Sequence, residues 1–382
     1  MIKRFFAFVT VIIAANLLAQ QAVAPAAKPA MDAAPQNQAN VKAEVEYKNP
    51  ALSDPDSWTM VVIPDVQAYV ERPRNHGIVD IMNAWILDYE KHLNIQQVLF
   101  TGDLVYRNDK RRPDDQYSLF SQEQWKAFSR LMERLDGRIP YILCTGNHDY
   151  GHASAENRNS FFKDYFPIDR NTMTRKHLVE CAYNSNDITT LENAAYEFIA
   201  PVPDKRKFLI ISLQFAPTDA DLQWAKNLVD MPRFKEHICI VLTHSYLAYT
   251  GQRILKEKYH LSAKGGNPGE DIFQKLVYPA KNIRLVICGH IAGADKWERG
   301  VVFSTDKNCE GKTVSQMAFN TQAIGGGFHG SGGDGWLRLL EFMPDKKTVK
   351  ARTFSPLFAI SPSTRHLAWK HDERNEFTFT IE

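Results

Sequence analysis

Short apolar runs alternate with longer amphipathic stretches over most of this chain. Residues 60–63, 98–100, 141–143, 208–211, 238–242 and 285–287 are uninterrupted apolar runs, the pattern of strands buried on both faces. Residues 78–92, 122–135, 219–229 and 270–277 instead repeat apolar positions at helical spacing, predicting helices packed on a sheet. The alternation predicts an α/β fold. Beyond Gly300 the pattern changes: 313–319, 336–342 and 348–354 read as strands with no helix among them. A second, more antiparallel sheet stacked on the first is the expectation. No internal repeat or second linker interrupts residues 56–382, which therefore read as one folded unit.

The first 55 residues follow a different pattern. Lys3 and Arg4 precede an apolar run from Phe5 to Ala19, with small residues at Ala19, Ala22 and Ala24. That order predicts a signal peptide over 1–24, and the run is shorter than the roughly 20 residues of a membrane-spanning helix. Because Pro25 follows Ala24, cleavage after Ala19 or Ala22 is favoured. Residues 25–55, rich in Ala, Pro, Gln and Asn, read as a flexible linker. Export to the periplasm or the extracellular space, without stable membrane insertion after cleavage, is expected.

Composition fits this picture: 382 residues, 44% hydrophobic and 24% charged, supply a sizeable core. Lys3 and Arg4 account for the whole net charge of +2, so the cleaved chain is neutral and long nucleic acid is not an expected partner. Of the five cysteines, Cys144, Cys239 and Cys288 fall in apolar runs as core residues. Cys181 and Cys309 lie in polar stretches and are the pair that an oxidising compartment could join.

Five of the apolar runs are each followed, within a few residues, by a potential metal ligand: Asp65, Asp103, Asn147 with His148, His244, and His290. Singly, each has an ordinary reading as a cap, a turn or a core histidine. Together they place oxygen and imidazole donors at the carboxyl ends of strands, where α/β sheets bind ligands.

In order and placement, Asp65-Val-Gln67, Gly102-Asp-Leu-Val-Tyr106, Gly146-Asn-His-Asp149, Thr243-His244 and Gly289-His290 resemble the blocks of the calcineurin-like metallophosphoesterases. The resemblance implies a two-layer β-sandwich flanked by helices, the metallo-dependent phosphatase architecture, holding two divalent ions (Mn, Fe, Zn or Mg). It implies that Asp103 bridges the ions, that Asn147, His244 and His290 complete one site, and that Asp65 anchors the other. A metal-bound hydroxide is the implied nucleophile toward a small or surface-bound phosphoester, monoester or diester. His148 would act beside the substrate with Asp149 orienting it, and Arg107 would either bind phosphate or stand solvated.

This chain departs from the pattern at two positions of the same site: Gln67 and Ala292 stand where many relatives have His. Gln67 still offers an amide oxygen, and Tyr106 is either a further ligand, as in purple acid phosphatases, or a pocket wall. The Asp-x-Gln variant resembles a bacterial branch, also visible in Asn320-Thr-Gln322, in 332–340 and in 353–356. The Gly-rich stretch 324–335, with His329 and Asp334, is either a lid over the site or an ordinary loop. A nuclease of the same superfamily, and a phospho-ligand-binding protein with a degenerate first metal site, are the alternatives to an esterase.

Overall fold

The computed structural model describes residues 46–184 and 186–382. The expected signal peptide, and the linker as far as residue 45, lie outside them.

Fourteen strands among the described residues form two mixed sheets. The first contains β1 (Trp58–Ile63), β2 (Ile95–Phe100) and β3 (Tyr141–Leu143). The second takes β4 (Leu178–Tyr183), β5 (Thr189–Ile199), β6 (Lys207–Ser212), β7 (Ile238–Leu242), β8 (Ile283–Cys288), β9 (Val301–Lys307) and β10 (Thr313–Phe319). The chain then returns to the first sheet with β11 (Leu337–Phe342), β12 (Thr348–Phe354), β13 (Trp369–Lys370) and β14 (Glu376–Thr380). The strand orders are β13-β12-β11-β1-β2-β3, with β14 beside β12, and β4-β5-β6-β7-β8-β10-β9.

The period-2 alternation of side chains explains the layers. Trp58, Met60 and Val62 of β1 point between the sheets, where they meet Phe208, Ile210, Ile240, Leu285 and Ile287. Val61 and Ile63 point the other way, into a core completed by Val79, Met82 and Ile86 of the helix His76–Tyr89 and by Trp125 and Phe128 of the helix Ser121–Met132. On the far side, Leu209, Ile211 and Val241 pack on Leu222, Ala225 and Leu228 of the helix Asp219–Val229. The result is the sandwich flanked by helices that the sequence implied. Burying each large apolar side chain in it contributes about 1.5–3 kcal/mol.

Two boundaries differ from the sequence reading. The strands after Gly300 do not make a separate sheet: β9 and β10 extend the second sheet, while β11 pairs antiparallel with β1 in the first. The register Val61↔Leu339 joins positions too distant in sequence for local periodicity to reveal. Part of the stretch read as linker also lies against the folded body. The Trp369 indole N–H donates to the Lys48 carbonyl at 2.8 Å, Arg352 donates to the Ala51 carbonyl at 2.9 Å, and the Ser53 hydroxyl donates to Glu341 at 2.9 Å. Cys181 and Cys309 are free thiols, so the contemplated pair is not formed, and Cys144, Cys239 and Cys288 are buried as expected.

Candidate metal centre

The parallel strands of both sheets deliver their carboxyl ends to one edge of the sandwich. Asp65 follows β1, Asp103 follows β2, and Asn147 and His148 follow β3; His244 follows β7 and His290 follows β8. Close approach sets the local sequence. A side chain at Gly146 would collide with the Asp103 carboxylate, and one at Gly289 with the Asp65 carboxylate, so glycine stands at both turns. Asp103 and His290 themselves have left-handed backbones, φ 50° and 69°. Such conformations cost a non-glycine residue energy and concentrate at functional sites.

At the centre stands the buried His244 imidazole. Its Nδ1–H donates to the Thr101 carbonyl at 2.8 Å, which leaves Nε2 as the ligating nitrogen. That Nε2 lies 3.1 Å from Asn147 Oδ1, 3.3 Å from Asp103 Oδ1 and 3.1 Å from His290 Nδ1. Donor atoms of Asp65, Asp103 and His244 lie within 4.8 Å of one another. Atoms bearing lone pairs that converge in this way suit a cation among them. Burial pulls the His244 pKa down, but the Asp103 and Asp65 carboxylates outweigh it and push it up to about 10. Burial likewise works against ionised Asp103, yet His244 and His148 hold its carboxyl well below the usual range. Asp65, in which burial dominates, is pushed up to about 7. The field that retains a proton here also suits a divalent ion.

Gln67 adds a further oxygen beside Asp103. Its Nε2 donates to Asp103 Oδ2 and to Gln322 Oε1, both at 2.8 Å, while its buried Oε1 has no hydrogen-bond partner. An unpartnered buried amide oxygen beside a carboxylate has the chemistry to accept a cation. Opposite it, Asn320 Nδ2 donates to Asp65 Oδ2 at 2.6 Å, and the Thr101 hydroxyl donates to Asp65 Oδ1 at 3.0 Å. Ala292 is exposed and brings no donor.

The expected helper residues divide. His148 stands beside the cluster: its amide donates to Asp103 Oδ1 at 2.9 Å and its Nδ1–H to the Tyr106 carbonyl at 2.7 Å. Burial lowers its pKa despite the Asp103 charge, so Nε2 is available to a substrate oxygen. Asp149 does not orient His148. Its buried carboxylate accepts the amides of Gly146 at 2.7 Å, Leu104 at 2.9 Å and Val105 at 3.1 Å, so it fixes the turns that present Asp103 and Asn147. Burial pushes the Asp149 pKa up to about 8.

Arg107 is partly buried rather than fully solvated. It pairs with Asp114 at 2.9 Å and covers the Tyr106 ring at 4.0 Å. Tyr106 in turn stacks on His148, ring centroids 5.0 Å apart, and touches Phe328 at 4.6 Å. Phe328 belongs to the Gly-rich loop, which therefore borders the site and is tied down by Arg74, whose guanidinium donates to the His329 carbonyl at 2.9 Å.

Sequence reasoning missed three participants. Asn320 follows β10 just as the other ligands follow their strands, so the same signal was available. Thr101 acts partly through its main-chain carbonyl. Glu257 lies in a stretch without regular structure; its Oε1 is 3.3 Å from His290 Nε2 and accepts the Ser245 hydroxyl.

A helix-flanked sandwich with carboxylate, amide and imidazole donors at its strand ends defines a metallophosphoesterase-type fold and site. The family model described as calcineurin-like phosphoesterase matches residues 59–293, and the chain belongs to that family. YvnB of Bacillus subtilis (strain 168) is 30% identical over 332 residues, which are 86% of this chain and 22% of that protein. Purple acid phosphatase 5 of Arabidopsis thaliana is 30% identical over 83 residues, 22% of this chain and 19% of the plant protein. Purple acid phosphatase 23 of the same plant is 26% identical over 115 residues, covering 26% and 25%. The chain thus spans a quarter or less of the length of these relatives. A solved structure described as "GAP50 the anchor in the inner membrane complex of Plasmodium" matches with TM-score 0.43 at 11% identity, covering 85% of this chain and 89% of that one.

Proposed function

We propose that this protein is an exported, metal-dependent hydrolase of small or surface-bound phosphoesters. The observation that carries the reading is the convergence of Asp65, Asp103, Asn147, His244 and His290 on one point. Asn147, His244 and His290 would hold one divalent ion with Asp103, and Asp65 and Gln67 the other. Bound there, such ions supply an acidified water and neutralise charge developing on phosphoryl oxygens.

The protein's own residues do the rest. His148, held through Nδ1 by the Tyr106 carbonyl, offers Nε2 to a substrate oxygen. The stack of Arg107, Tyr106 and Phe328 screens that imidazole from water, and Asp149 keeps the turns in place. Export rests on the order of Lys3, Arg4 and the apolar run behind them. Among the described residues, no helix is long and apolar enough to cross a membrane.

One observation favours a second reading. Amide donors already occupy Asp65 Oδ2 and Asp103 Oδ2, which suits a phospho-ligand-binding protein that holds a single ion without turnover. Chromogenic phosphomonoesters and phosphodiesters, assayed with added Mn, Fe, Zn or Mg and after chelation, separate the two. Metal-dependent hydrolysis of either ester supports the esterase, and its absence with every metal supports the binding protein. Cleavage of DNA or RNA in preference to small esters would indicate a nuclease instead.

A further inference from the structure

His290 is shared between the metal-ligand cluster and an open cleft of about 990 Å³. Besides Arg253, four cations line that cleft: Lys256, Lys258, Lys296 and Arg299. All four are exposed, and among the described residues none lies within 4.0 Å of a carboxylate. The neighbouring charges on the same wall are spoken for. Arg253 pairs with Glu270 at 2.5 Å and Asp306 at 2.7 Å, and Glu257 faces His290 and Ser245.

An adjoining cleft differs. A second cleft of about 450 Å³, which also touches Ala292, runs past Gln322 and Phe328 and contains no basic residue. Of these two clefts, only the first is lined by cations that no carboxylate pairs, in a protein whose net charge is only +2. Like charges gathered along one concave wall raise the local positive potential and draw an anion to it. Tyr249, half exposed and covered on one face by the Arg299 guanidinium at 4.2 Å, adds a flat apolar surface there.

We propose that this cleft receives a second anionic group, phosphate or carboxylate, carried by the substrate beyond its scissile ester. The preferred substrates are then small phosphoesters charged at both ends. This assignment rests on the phosphoester-hydrolase reading and adds which esters are chosen. Lys256, Lys258, Lys296 and Arg299 bind and orient; they take no part in bond breaking.

The test uses a matched pair, para-carboxyphenyl phosphate and its methyl ester, which differ by one negative charge on the leaving group. The metal-loaded protein should turn over the acid with kcat/KM about tenfold above the ester at low ionic strength, mostly through KM, with the ratio shrinking at high salt. Charge reversal in the double variant Lys296→Glu, Arg299→Glu should bring the ratio to about one or below, while Lys296→Arg keeps it. Equal kcat/KM for the two compounds in the unaltered protein overturns the assignment. If neither compound is hydrolysed, the hydrolase reading is what fails, and calorimetric binding of the same pair to the chelator-treated protein then decides on the cleft. Tighter binding of the acid, abolished by the double variant, supports the site; equal binding overturns it.

Discussion

His290 Nε2 lies 3.3 Å from Glu257 Oε1, while the Nδ1 of the same ring lies 3.1 Å from His244 Nε2. A carboxylate behind a ligating imidazole fixes the ring's tautomer and raises its basicity. Glu257→Ala should therefore weaken divalent-metal binding about 10–100-fold, and Glu257→Gln, which still accepts a hydrogen bond, should weaken it less. Competition titration against a chelator measures both. Unchanged affinity in the alanine variant would show that Glu257 does not position His290.

Gln67 offers an amide oxygen where an imidazole would bind borderline metals better. Gln67→His should tighten the weaker of two metal equivalents, with Zn gaining more than Mg. Elemental analysis after dialysis against a series of free-metal concentrations reads this directly, and identical occupancy in both proteins would contradict it.

Asp149 accepts three backbone amides in a buried turn. Losing these bonds leaves buried N–H groups unpaired, so Asp149→Ala should destabilise the fold by about 2–4 kcal/mol. Denaturant unfolding tests this. A variant of native stability with only a displaced pH–activity profile would return Asp149 to the role of orienting His148.

His244 carries the sharpest pH consequence. Its folded-state pKa is raised, to about 10 from 6.5, by Asp103 and Asp65 against the opposing effect of burial. In the metal-free protein this coupling contributes stability that is fully present below pH 6.5 and is lost as pH rises through about 10. Metal binding near pH 8 must displace that proton. Calorimetry in buffers of different ionisation enthalpy should thus show release of about one proton with the ion that His244 ligates, reduced in His244→Asn. Equal heats in all buffers would contradict this protonation state.

Much of this was legible because strand and ligand signals coincide. The run 238–242 matches β7 and 219–229 matches its helix, since buried apolar strands and an amphipathic helix capped by Thr218 write themselves locally. The candidate ligands were legible because each directly follows such a run. The pairing of β11 with β1 was not, because sheet partnership depends on contacts across nearly the whole chain. Glu257 lies in a loop with no periodicity to place it, and the Asp149 role turns on backbone amides that no side-chain motif displays.

The most direct test of the central claim is metal content together with ester hydrolysis in the unaltered protein and in Asp103→Asn. Asp103 contacts His244, His148 and Gln67 at once, so it is the residue common to both proposed ion sites. About two divalent ions per chain are expected in the unaltered protein, and loss of metal together with at least about a thousandfold loss of hydrolysis in the variant. Hydrolysis that persists in a folded Asp103→Asn protein, or in the fully demetallated unaltered one, would contradict the central claim.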